Sequence, residues 1–289
     1  MNASNVINNK LAFVLSGGGA RGALQVGSLY SLLENGFMPD LLVGTSIGAV
    51  NAAFLAVHGF SKGGLDLLTG AWHRAAELDL LPNNYVRLSL SAMLGRSSNN
   101  PAGQIREFMI KSGLTPELRF ADIKHPQLNI VSSDLNTGKP VLHGESPNDL
   151  VLDALLVSTA LPPWVMPVHN KQQVLMDGGV VSNLPIESAL QAGATRIVAL
   201  DLSDMRETFG GKRGLGLFLN NLAYAMERRE GDLELRLARA QGVPVFHLRL
   251  MGKDPTPILD FHHVDELIAQ GYEITCQAIA NEQTWQSAP

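Results

Sequence analysis

Cysteine is all but missing from this chain of 289 residues: Cys276 stands alone, so no intramolecular disulfide can form, and a reducing, cytoplasmic compartment is expected. Long hydrophobic runs are missing too. No stretch reaches the roughly 18 apolar residues that a membrane-spanning helix needs. The most apolar region, Val151 to Val168, is interrupted by Asp153, Pro162, Pro163 and Pro167. Contact with lipid is therefore expected to be peripheral at a membrane. The opening MNASNVINNK carries neither the apolar core nor the small-residue cleavage site of a secretory leader, and residues 1–10 read as a polar tail. Charge is sparse at 17% of residues, and the net charge of −5 supplies no global attraction for nucleic acid. No clustered Cys, His, Asp and Glu set has ligand spacing, so no metal and no cofactor are expected. Internal repeats and low-complexity tracts are absent as well.

Glycine, by contrast, is plentiful at 28 residues, and its placement is informative. Short apolar runs at Leu11 to Ser16, Leu41 to Thr45, Leu128 to Ser133, Lys139 to His143, Val174 to Asp177, Arg196 to Asp201 and Val243 to Leu248 read as strands. Helical patterns such as Ala20 to Asn35 and Ile47 to Val57 separate most of them. That alternation predicts an α/β fold with a mainly parallel central sheet covered on both faces, in a single domain over residues 11–289. Two segments fit poorly, Leu80 to Gly103 and Ser203 to Gly216. The second leads into an amphipathic run, Leu215 to Met226. Long irregular stretches in compact domains tend to be binding loops or lids. Within Phe209 to Asn220, Lys212 and Arg213 beside Leu215, Leu217, Phe218 and Leu219 would suit contact with an anionic lipid surface, and an ordinary core-facing helix explains the same apolar residues.

Three glycine-marked clusters follow strand ends. Gly44-Thr45-Ser46-Ile47-Gly48 fits the nucleophile elbow, a sharp strand-to-helix turn whose small flanking residues let a strained serine stand clear. A chance match is expected in roughly one such chain in five, so the strand before it and the alanine-rich helix after it carry the assignment. Gly17-Gly18-Gly19-Ala20-Arg21-Gly22 follows the first strand and opens the first helix. Its unhindered N–H groups can converge on an anion, with Arg21 holding the loop or adding positive potential. Asp177-Gly178-Gly179 closes a further apolar strand. Alone it reads as a capped turn; beside the other two it reads as a catalytic carboxylate.

Two other chemistries compete. The first glycine string also fits the dinucleotide fingerprint GxGxxG, but Asp40, the acid at the right separation, precedes its strand instead of following it. A Ser–Asp–His triad would draw on His247, His262 or His263, none of which lies in a glycine-marked turn; His262 and His263 sit where a C-terminal helix begins.

In order and context, GGGARG, GTSIG and DGG resemble the patatin-like phospholipase family. SSDLNTGKPVL (132–142) and STALPP (158–163) are similar to further family segments, so that the motif-bearing part covers about residues 11–200. The resemblance implies a three-layer α/β/α fold and a metal-free Ser–Asp dyad cleaving lipid or other acyl esters. Ser46 would be the nucleophile and Asp177 the proton acceptor. Gly17, Gly18, Gly19 and Gly22 would shape an oxyanion hole beside Arg21, with Gly44 and Gly48 forming the elbow and Gly178 and Gly179 the turn after the acid.

Overall fold

The computed structural model describes residues 9–78, 101–162, 164–170, 172–204, 206 and 215–281. Most of the two irregular segments, 80–103 and 203–220, lies outside them, and so does the Lys212–Arg213 pair.

The strands are β1 (Leu11–Leu15), β2 (Leu41–Thr45), β3 (Gln127–Asp134), β4 (Lys139–His143), β5 (Val168–Asn170), β6 (Gln173–Asp177), β7 (Arg196–Asp201) and β8 (Val245–Arg249). The helices are α1 (Gly22–Glu34), α2 (Ile47–His58), α3 (Lys62–Glu77), α4 (Pro101–Lys111), α5 (Val151–Ser158), α6 (Ile186–Gln191), α7 (Leu215–Ala240) and α8 (Val264–Asn281). All the strands join one sheet in the order β5-β6-β3-β2-β1-β7-β8, with β4 on the other edge of β3. Pairings β3–β2, β2–β1, β1–β7 and β7–β8 are parallel, as strands joined by crossing helices must be.

Buried strands covered on both sides lose the polar alternation of a half-exposed sheet. β1 shows the result: Phe13 and Leu15 enter one apolar cluster, Ala12 and Val14 the other. The first cluster packs α1, α2, α3, α4, α5 and α8 on one face; the second packs α6 and α7 on the opposite face. The fold is thus three-layered, as expected. Two details differ from the sequence reading. The short, exposed β5 lacks an apolar run to announce it. And β6, whose sequence reads like any buried strand, runs antiparallel to β3.

The direction of β6 positions the site. β3 continues three residues beyond its ladder with β2, which ends at Thr45 opposite Val131. β6 enters from the other direction and pairs with that overhang, Ser132 facing Asp177. Because β4 occupies the opposite edge of β3, β2 and β6 share one edge and meet end to end. Ser46 and Asp177, each closing its strand, are brought together across a single step of β3.

Candidate active site

Ser46 stands between β2 and α2 at φ 53° and ψ −124°, and among the described residues it is the one non-glycine with positive φ. Such a conformation costs about 1–3 kcal/mol and persists where neighbours over-determine it. Here they do. The Ser46 N–H donates to Ser158 Oγ at 3.0 Å, and Ser158 in turn donates to the carbonyl of Val131 at 2.7 Å. Thr45 Oγ1 donates to the carbonyl of Ser182 at 2.8 Å. Gly44 and Gly48 close the elbow: a Cβ on Gly48 would sit 2.2 Å from the carbonyl oxygen of Leu15, so the helix packs onto β1 at a distance only glycine permits.

The Ser46 hydroxyl donates to Asp177 Oδ2 at 2.6 Å. The other carboxylate oxygen accepts from the Gly179 N–H at 2.8 Å, which fixes the carboxylate plane through the turn Gly178–Val180. Asp177 is 4% exposed. Burial pushes its carboxyl up to about 6, opposed by the Ser46 hydroxyl and the Gly179 N–H, both of which stabilise the anion. A carboxylate shifted this way is still mostly ionised at neutral pH and is a stronger base than an exposed aspartate.

The glycine loop faces the pair, and not all of its groups are free. Gly17 N–H donates to the carbonyl of Asn183, Ala20 N–H to that of Ile258, and Gly22 N–H back into the turn. Among the described residues, no hydrogen bond engages the N–H of Gly18 or Gly19. Gly19 sits at φ +57°, and a Cβ there would lie 2.1 Å from the carbonyl oxygen of Ile258. Arg21 is buried at 3% exposure, and its Nε donates to the carbonyl of Gly18, bracing the loop from behind. From below, Gln25 Nε2 holds the carbonyl of Ser16 at 2.9 Å, Asn51 Nδ2 holds Gln25 Oε1, and Trp72 Nε1 holds Asn51 Oδ1.

From Ser46, Asp177 and the glycine loop a cavity of about 590 Å³ runs inward, lined by Val50, Phe54, Leu68, Trp72, Phe108 and Leu114 among others. Its lining is mainly apolar, with Asn51, Ser112 and Thr159 among the polar side chains that reach it. No histidine lines it among the described residues. His247 Nε2 pairs with Asp201 Oδ2 at 2.8 Å, and His262 and His263 lie in the turn before α8, where His263 faces Asp260 and Glu266. Asp40 accepts from the Leu11 N–H, at the opposite edge of the sheet from the glycine loop.

Sequence reasoning gave no role to several residues that shape the site. Ser158 braces the elbow; a serine buried at the end of the apolar helix VLDALLVS was the available signal. Asn183 joins three parts: its carbonyl holds Gly17, its Oδ1 lies against Gly17 and Gly179, and its Nδ2 donates to Glu227 Oε1 on α7 at 2.6 Å. Two turns of α7 place Glu227, Glu230 and Glu234 along this face. Burial, with Glu234 beside it, pushes the Glu230 carboxyl well above the usual carboxylate range.

A sequence profile described as patatin-like phospholipase matches residues 13–190. An uncharacterized NTE family protein of Mycobacterium tuberculosis is 30% identical over 215 residues, 74% of this chain and 33% of that protein. Human patatin-like phospholipase domain-containing protein 6 is 31% identical over 201 residues, 69% of this chain and 14% of that protein. The chain thus spans about a third or less of the relatives it matches. Among solved structures, human GIVD cytosolic phospholipase A2 aligns with a TM-score of 0.49 at 12% identity, covering 93% of this chain and 58% of that one.

Proposed function

Because the chain belongs to the patatin-like phospholipase family, we propose that it is a lipid acyl hydrolase working through a Ser46 acyl-enzyme, with Asp177 as the proton acceptor. The observation that carries this reading is the 2.6 Å hydrogen bond from Ser46 Oγ to Asp177 Oδ2 at the head of an apolar cavity.

The acyl chain of the substrate occupies the cavity, leaving the ester carbonyl at its mouth. Ser46 Oγ attacks the carbonyl carbon as its proton passes to Asp177 Oδ2. The N–H groups of Gly18 and Gly19 receive the oxyanion, and the positive end of α2 points to the same place. On collapse the C–O bond to the leaving alcohol breaks and Asp177 returns the proton to that oxygen. Water, deprotonated by Asp177, then attacks the acyl-enzyme and releases the fatty acid and free Ser46. Pre-aligned donors, a strained nucleophile and a mainly apolar cavity are in place before the chemical step.

The test is a panel of soluble and micellar acyl esters of increasing chain length. Turnover should rise with chain length until the cavity is filled, and a fluorophosphonate should label Ser46 alone. Labelling at another residue, or hydrolysis indifferent to chain length, would remove the basis for the assignment. The pH profile offers a second check. Catalysis needs ionised Asp177, so kcat/KM should fall about tenfold for each pH step below about 6 and level off above it. A midpoint near 4 would mean that the base is a solvated carboxylate and not Asp177.

A further inference from the structure

Twelve large apolar side chains are exposed among the described residues, and four of them belong to α7 or to the turn after Asp177: Val180 at 42%, Leu222 at 46%, Met226 at 56% and Leu233 at 48%. Val180 ends the turn that begins at Asp177. Leu222, Met226 and Leu233 stand at positions i, i+4 and i+11 of α7, which puts them on one flank of that helix. Val180 and Met226 are exposed and also line the cavity that leads to Ser46. Met226 and Leu233 line an open groove against Val181. The flank is therefore continuous with the mouth of the cavity. Scattered exposed leucines are ordinary; a set that runs along one helix flank and reaches the entrance to an apolar cavity is not.

We infer that this flank of α7, with Val180, is the face on which the protein rests against a lipid–water surface while one acyl chain enters the cavity. The inference rests on the lipid hydrolase reading above and names where the substrate comes from. Its charge supports lipid of no net charge. Asp232 pairs with both Arg229 at 3.3 Å and Arg236 at 3.0 Å, and Glu187 and Glu234 line the same groove, so cations and carboxylates are mixed on this flank. With neither sign of charge dominating this flank, contact depends chiefly on buried apolar area and changes little with salt.

The experiment uses the full chain in a Ser46→Ala background, so that the lipid is not consumed, with phosphatidylcholine vesicles in low and high salt. The parent should sediment with vesicles equally in both. Leu222→Ser with Leu233→Ser should lower the partition coefficient about tenfold. In the active background the same pair should hydrolyse a short soluble ester at the parental rate and lose activity on vesicles. Met38→Ser is the control: it is also half exposed but lies between α1 and β2, at the opposite edge of the sheet, and should change nothing. The proposal is overturned if the parent ignores vesicles, if the Leu222 and Leu233 variant binds as the parent does, or if Met38→Ser weakens binding equally. It is also overturned if sedimentation equilibrium shows a dimer that this variant dissolves, for the face then belongs to a second copy of the chain. Loss of soluble-ester hydrolysis in the parent, with vesicle binding intact, would instead count against the hydrolase reading alone.

Discussion

Ser46→Ala and Asp177→Asn should each reduce ester hydrolysis by about 10⁴-fold or more, and the double substitution should be little worse than either, because groups that act as one unit fail as one. The two variants should part company in stability. The folded-state pKa of Asp177 is raised from 3.8 to about 6, so the buried carboxylate favours the neutral form and its ionisation opposes folding. The stability associated with the neutral carboxyl is full below pH about 4 and is lost as pH rises through about 6. At about 1.4 kcal/mol for each pKa unit, that loss is roughly 3 kcal/mol at neutral pH. Asp177→Asn cannot ionise. Denaturant unfolding should therefore find it more stable than the parent at pH 7 to 8 and equal to it near pH 4. A gain in stability with loss of activity is the expected mark of a site held in place at a cost. Near-normal turnover in Asp177→Asn, with total loss in His247→Ala, would transfer the role of base to the Asp201–His247 pair.

The second large effect is mechanical. Gly48→Ala places a methyl group 2.2 Å from the carbonyl oxygen of Leu15 and 2.6 Å from that of Ser16. Both are backbone atoms next to the central strand of the sheet, so neither can swing aside as a side chain would. Either β1 or α2 must move. Overpacking of this kind costs about 3 kcal/mol, which for a chain of this size lowers Tm by about 5 °C. The elbow moves with α2, so the remaining folded protein should also show a lower kcat. In α7, Gly231 has no atom within 4 Å of an added Cβ, and Gly231→Ala should raise stability by about 1 kcal/mol. Thermal melts of the two variants beside the parent provide the check. An unchanged Tm in Gly48→Ala would mean that the elbow packs less tightly than the 2.2 Å approach requires.

Most of the fold could be read from the sequence because each buried strand is a short apolar run, and because glycines mark the ends of β1, β2 and β6, where chemistry is exposed. The elbow, the glycine loop and the DGG turn were found for that reason, and the structure brings Ser46, Asp177 and the Gly17–Gly22 loop to one cavity mouth. Strand direction was not legible. A buried strand such as VLMD has the same composition whichever way it runs, so the antiparallel entry of β6 depends on the overhang of β3, a pairing no local pattern encodes. Nor could the sequence show which N–H groups of the glycine loop are free, since Gly17 is engaged by Asn183, far away in the chain. Asn183 and Glu227 escaped notice because polar residues in a turn or on a helix are usually solvated; only tertiary contact made them braces.

The shared edge of β3 also sets a dimensional tolerance. Thr45 is registered to Val131 and Asp177 to Ser132, so the gap between nucleophile and base is measured off by one peptide step, and not by the loops that lead to either strand. Insertions in those loops leave the reference marks where they are. One residue inserted between Val131 and Ser132 would displace the marks by about 3.3 Å, more than the length of the hydrogen bond they hold. Variation in the length of those leading loops is thus tolerated, while a single bond of a strand that contributes no reacting atom is held to its spacing.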